Sequence, residues 1–142
     1  MKNLILFLTF AVFSLCAQDA MPKDGKKYHA IFEMSAGEAP RLEGVIRNID
    51  NLKIALGADN ITVAIVLHGG AILSFTKEKT ALASEWERLS KSGVILLACG
   101  NSMKMRGIAK ESLLPGVTMV DSAVAELVRK QQAGWQYLRN AN

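Results

Sequence analysis

The chain has 142 residues, half of them hydrophobic and about a fifth charged, with 17 Lys and Arg against 13 Asp and Glu. That length suits one domain with a core of its own, and the composition excludes a disordered chain. The formal charge of +4, with no long basic run and no interleaving of basic and aromatic residues, argues against nucleic acid as a partner.

The stretch MKNLILFLTFAVFSLCAQDA opens with Lys2 and runs apolar from Leu4 to Ala17. The run is too short to span a bilayer comfortably and has the length of a signal-peptide core. Small residues at Ser14, Cys16 and Ala17 put the expected cleavage after Ala17, with Cys16 as second choice. Residues 1–17 are therefore read as a signal peptide and the destination as periplasmic or otherwise exported. Lipidation at Cys16 ranks lower, because Leu15 is large where a small residue is wanted, so no stable membrane anchor is expected after cleavage. The remaining chain carries 16 cations against 13 anions. It keeps a single cysteine, Cys99. Oxidising compartments favour paired cysteines, so this thiol is buried and inert, paired between chains, or used.

QDAMPKDGKK, residues 18–27, is a polar connector, leaving residues 28–142 as the domain. YHAIFEM (28–34) reads as a first strand. Pro40 suits the first turn of a helix, in which Leu42, Val45, Ile46, Ile49, Leu52 and Leu56 recur at helical spacing before Gly57 ends it. ITVAIVL (61–67) is apolar throughout and reads as a strand covered on both faces. A helix is expected over residues 77–91, with Leu82, Trp86 and Leu89 inward. GVILLA (93–98) is a third strand, and a short helix is expected over residues 102–109. GVTMV (116–120) is a fourth strand. Asp121 or Ser122 then caps a helix bearing Val124, Leu127 and Val128 and ending near Gly134. WQYL (135–138) is a short last strand at an edge. Strands alternating with helices imply a three-layer α/β/α sandwich, with a mostly parallel, flavodoxin-like sheet of about five strands.

In such sheets ligands gather beyond the carboxyl ends of the strands. That rim carries Ser35-Ala36-Gly37, His68-Gly69-Gly70, Cys99-Gly100-Asn101-Ser102 and Asp121-Ser122. Cys99 directly precedes a helix whose free N–H groups favour an anion, and Lys104 and Arg106 follow within two turns. Each effect lowers a thiol pKa, and the thiolate is the nucleophile. Gly100 permits close approach to the sulfur. Set against this, an unpaired cysteine closing an apolar strand is more often an inert core residue.

VILLACGNSMKMRGI resembles the cysteine segment of the DsrE/DsrF/TusD family of sulfur-trafficking proteins, in which an apolar strand ends on the active cysteine and a short helix leads to an Arg-Gly-aliphatic step, here Arg106-Gly107-Ile108. IVLHGGAI and LLPGVTMVDSAVAELVRKQQAGWQYL resemble the exported, single-domain branch. The resemblance implies a three-layer fold, homo-oligomerisation and a cysteine that carries sulfur as a persulfide. The active role transfers to Cys99 alone. His68 matches the branch pattern, and Gly100, Asn101, Ser102, Lys104, Arg106 and His68 form the expected anion-stabilising surroundings. A donor or acceptor thiol protein, or a small polysulfide, is the implied partner, and no metal or organic cofactor is required.

Three alternatives stand beside that reading. Cys99, Met103, Met105 and His68 include ligands for a soft metal, but Met103 and Met105 are two apart and do not share a helix face. A thiol oxidoreductase lacks both a C-x-x-C motif and a second mature cysteine. The runner-up is a non-catalytic oligomeric module that binds a ligand or partner, with Cys99 as a buried structural cysteine of ordinary pKa.

Overall fold

Runs such as ITVAIVL offer water no polar face, so they can be satisfied only inside a sheet covered on both sides. The computed structural model describes residues 27–139; the leader expected over residues 1–17 and all but the last residue of the connector lie outside them. Along the chain come β1 (Tyr28–Met34), α1 (Ala39–Leu56), β2 (Ile61–Leu67), α2 (Ala83–Lys91), β3 (Ile95–Cys99), α3 (Gly100–Met105), β4 (Val117–Val120), α4 (Ala123–Gln132) and β5 (Gln136–Arg139). Tight 3₁₀ turns occupy Ala71–Phe75 and Lys110–Ser112. The five strands lie in the order β4-β3-β2-β1-β5 and every pairing is parallel. The chain thus builds outward from β1 to β4 and then crosses back to place β5 on the other side of β1.

Strand alternation sorts the core into two layers. Phe32, Met34, Val63, Ile65 and Leu67 face a large layer supplied by Leu42, Val45, Ile46 and Ile49 of α1, Trp86 and Leu89 of α2, and Met103 of α3. Ile31, Ala64, Val66, Leu97 and Cys99 form the opposite layer with Ala123 at the start of α4. This second layer is thin, because among the described residues a single ten-residue helix crosses it. Leu127 packs inward, while Val124 and Val128 are 66% and 50% exposed.

Two helices differ from expectation in their bounds. The helix expected from residue 77 begins at Ala83. Upstream, the Lys77 N–H is taken by the Ser112 carbonyl, and the Thr80 hydroxyl accepts the Leu82 N–H at 2.9 Å, a local bond that competes with helix. The helix expected over residues 102–109 runs from Gly100 to Met105, with Cys99 as its N-cap residue. It stops because Gly107 takes a φ of 64° while the Gly107 and Ile108 N–H groups fold back onto the Lys104 and Met103 carbonyls.

The large layer holds one buried polar pair. Trp86, fully buried, donates its indole N–H to the Ser74 hydroxyl at 2.8 Å and meets the Phe75 ring edge-on at 5.1 Å. Ser74→Ala leaves that N–H without a partner in the core. Urea unfolding is expected to show a loss of about 1–3 kcal/mol, whereas an unchanged midpoint would mean that water replaces the hydroxyl.

Candidate functional site

The β3 strand keeps the parallel register up to its last residue, where Cys99 pairs with Val120. Beyond that pair the two chains turn into α3 and α4, and both turns close on the same sulfur. The Ala123 N–H, at the first residue of α4, donates to Cys99 Sγ at 3.3 Å. The close approach depends on Gly100: a Cβ there would lie 2.9 Å from the Val120 carbonyl oxygen and 3.3 Å from that of Asp121. The Asn101 N–H donates to the Asp121 carbonyl and ties the two turns together. Ser122 caps α4 by accepting the Ala125 N–H, so the cap falls to Ser122 rather than to Asp121. The Asp121 carboxylate instead receives two bonds from Arg129, which hold its pKa at about 2. Its charge is directed along α4, away from the thiol.

Cys99 is 5% exposed. Burial pushes a thiol pKa up, and here it is the largest single influence. The N–H groups of Ser102 and Ala123, the Ser102 hydroxyl and the Asn101 N–H act against it and bring the Cys99 thiol below its ordinary value. Hydrogen bonds to the charged form have this sign, since each is stronger to a thiolate than to a thiol. Ser102 is itself positioned: its hydroxyl oxygen accepts the Gly69 N–H at 3.0 Å. The loop after β2 therefore orients a donor for the cysteine after β3.

The other expected site residues take different places. Lys104 lies on the exposed side of α3. Arg106 sends its guanidinium back toward the loop after β2, where a Cβ at Gly70 would lie 3.9 Å from Nη2. The influences that lower the thiol pKa most are donors on neutral groups rather than these cations. Met103 is buried and Met105 is 87% exposed, and among the described residues no group of three or more His, Cys, Asp or Glu is placed to hold a metal ion. His68 shares the rim but turns from the thiol toward β1: its Nε2 lies 2.5 Å from Glu33 Oε1.

Glu33 escapes the sequence reading, although a carboxylate in the otherwise apolar YHAIFEM is a visible signal. Tyr137 of β5 donates its hydroxyl to the second Glu33 oxygen at 2.9 Å. Burial raises the Glu33 pKa, while the bonds from His68 and Tyr137 and the nearby charges of His68 and Arg139 lower it, with a net shift downward. Glu33 thus stays a carboxylate near neutral pH.

Gly100→Ala tests the junction at the sulfur. The new methyl must push the start of α3 off the β4–α4 turn, which is expected to cost about 1–3 kcal/mol in urea unfolding and to slow alkylation of Cys99 by loosening the donors that favour its anion. Wild-type stability and wild-type alkylation together would show that the close approach is not needed.

Comparison with known proteins places this geometry. The model of the DsrE/DsrF-like family matches residues 38–139. A solved structure of a protein of unknown function from Methanobacterium thermoautotrophicum, MTH1491, is similar with a TM-score of 0.76 and 26% identity over 80% of this chain and 99% of that one. The ychN protein from E. coli is similar in fold, with a TM-score of 0.64 and 18% identity over 80% of this chain and 98% of that one. The comparison with curated protein sequences finds no match.

Proposed function

We propose, from the premise that this chain belongs to the DsrE/DsrF-like family, that it is an exported carrier of sulfane sulfur, held as a persulfide on Cys99. The observation that carries this reading is the convergence of donors from two helix starts on one thiol, with a pKa below the ordinary value despite burial. Inert core cysteines show the opposite shift. The family is generally associated with sulfur relay, which fits that chemistry.

The chemistry asks little of the protein. The Cys99 thiolate attacks the outer sulfur of a donor persulfide, R–S–SH. The new S–S bond forms at Cys99 as the donor S–S bond breaks and leaves as the thiolate R–S⁻. An acceptor thiolate then attacks the outer sulfur on Cys99, takes it, and returns Cys99 as its thiolate. No net oxidation or reduction occurs in either step. The N–H groups of Asn101, Ser102 and Ala123, with the Ser102 hydroxyl, hold the negative charge on Cys99 before attack and when it departs as leaving group. The 5% exposure of Cys99 favours a slender donor, such as a polysulfide or the tip of a persulfide side chain. The apolar side chains left exposed on α4, Val124 and Val128, support assembly into a homo-oligomer, since such groups gather at interfaces. Export rests on the apolar leader over residues 1–17, which lies outside the described residues.

One observation favours a second reading. Cys99 packs among Ile31, Ala64, Val66, Leu97 and Ala123, as a structural cysteine of a non-catalytic binding module does. Intact-mass spectrometry after polysulfide treatment, beside a Cys99→Ala control, separates the two. The carrier gains one or more sulfur atoms, loses them to reductant, and shows no gain in the control. A thiol that stays unmodified until the protein is denatured gives the structural reading the lead. The same sample sprayed under native conditions reads the assembly, and a monomer would remove the oligomer from the proposal.

A further inference from the structure

The run YHAIFEM of β1 carries one carboxylate, Glu33, whose side chain is only 20% exposed. Withdrawing a carboxylate from water costs free energy unless its oxygens are hydrogen-bonded, and here each oxygen holds a different element. Tyr137 of β5 donates to one at 2.9 Å, and Nε2 of His68, the first residue after β2, lies 2.5 Å from the other. A carboxylate only accepts, so the proton of the second bond sits on His68 Nε2. We propose that Glu33 is a positioning residue for Cys99, acting through the loop after β2 and the Ser102 hydroxyl. This role rests on the reading above, in which the Cys99 thiolate is the working group.

Short links connect the carboxylate to the sulfur. His68 is followed by Gly69, whose φ of 52° turns the chain out of the sheet and whose N–H donates to Ser102 Oγ at 3.0 Å. Ser102 is the third residue of α3 after its N-cap residue, Cys99, a position whose N–H reaches back toward the N-cap side chain. With its oxygen accepting from Gly69, the Ser102 hydroxyl keeps its single proton for the sulfur, and both the Ser102 N–H and hydroxyl lower the thiol pKa. Backbone bonds fix the two ends of the loop, from the His68 N–H to the Met34 carbonyl and from the Ala71 N–H to that of Ser35. The His68–Glu33 bond adds the side-chain restraint next to the Gly69 donor.

The sign of the effect separates positioning from a direct electrostatic field. In the sheet order, β2 stands between β1 and β3, which puts Glu33 about 10 Å from the strand of Cys99. A carboxylate there disfavours a second anion, and the charged groups facing it are His68 and Arg139. Through the field alone, loss of Glu33 would therefore lower the thiol pKa and leave Arg139 uncompensated. Loss of the anchor raises it.

The test is the pH dependence of Cys99 alkylation by iodoacetamide in the folded protein, read on the Cys99 peptide by mass spectrometry so that midpoints are compared. Glu33→Ala, shown to be folded by its urea transition, is expected to raise the midpoint, with about three- to tenfold less thiolate at a pH below it. Glu33→Gln keeps an acceptor for His68 without the charge and is expected to restore most of the wild-type midpoint. In a Ser102→Ala background Glu33→Ala is expected to add little, because the two residues lie on one path. Tyr137→Phe, on the edge strand β5, frees one Glu33 oxygen and is expected to give a smaller rise; it decides the matter if Glu33→Ala does not fold. A midpoint unchanged or lowered in the deciding variant, equal midpoints in Glu33→Ala and Glu33→Gln, or a full rise with Ser102 already replaced would overturn the proposal. Sulfur uptake by the wild type is scored separately. Uptake with unmoved midpoints removes this role and keeps the carrier, and moved midpoints without uptake keep the role and remove the carrier.

Discussion

The bond from the Ala123 N–H to the Cys99 sulfur is the contact around which the candidate site is organised. It joins the end of one strand to the start of the helix after the next, and it exists only because a glycine follows the cysteine. With any side chain at residue 100, the carbonyls of Val120 and Asp121 must retreat, and the start of α4 retreats with them. The parallel register of β3 and β4 brings the two turns side by side. The Ser122 cap then aims the first N–H groups of α4, and Gly69 holds the Ser102 hydroxyl in place. Sheet, turn and cap are each ordinary features. Together they place several donors on one sulfur in a setting whose burial alone would keep it neutral.

Much of this architecture is legible in the sequence. The largely apolar run at residues 28–34 and the apolar run at 61–67 match β1 and β2 to the residue, because nothing in them competes with strand. The helix from Pro40 to Gly57 differs from α1 by one residue at its start, since its period and both its end signals agree. The departures come where local side-chain bonds intervene, as at Thr80, or where a glycine stops a helix early, as at Gly107. The thinness of the α4 layer is another matter. Val124 and Val128 sit at helical spacing with Leu127, yet they stay exposed because no second helix among the described residues lies beside α4, and that is a property of topology.

The site is legible only in part for a similar reason. An apolar run ending in Cys99-Gly100-Asn101-Ser102 announces a strand meeting a helix, and the helix-start donors follow from it. The contributions of Ala123 and Gly69 come from 24 and 33 residues away from their partners and depend on strand order. Lys104 on α3 and Arg106 just beyond it are close to Cys99 in sequence, and proximity along the chain suggests electrostatic help, whereas the groups that lower the thiol pKa most are the donors of Ser102, Ala123 and Asn101. The His68–Glu33–Tyr137 group depends on the placement of β5 next to β1, which the order of elements along the chain does not reveal.

The central claim is that folding makes Cys99 a better thiolate, and its ionisation tests this directly. The ultraviolet absorbance of the thiolate, followed against pH, gives the midpoint in the folded protein and in the urea-unfolded chain. The folded midpoint is predicted to lie below the unfolded one and to rise in Ser102→Ala. The linked stability has a definite sign: for a group whose pKa is depressed by folding, the contribution is fully present above the unfolded midpoint and is lost as pH falls through the folded one. A folded midpoint at or above that of the unfolded thiol would contradict the account, because burial would then have outweighed every donor the fold brings to the sulfur.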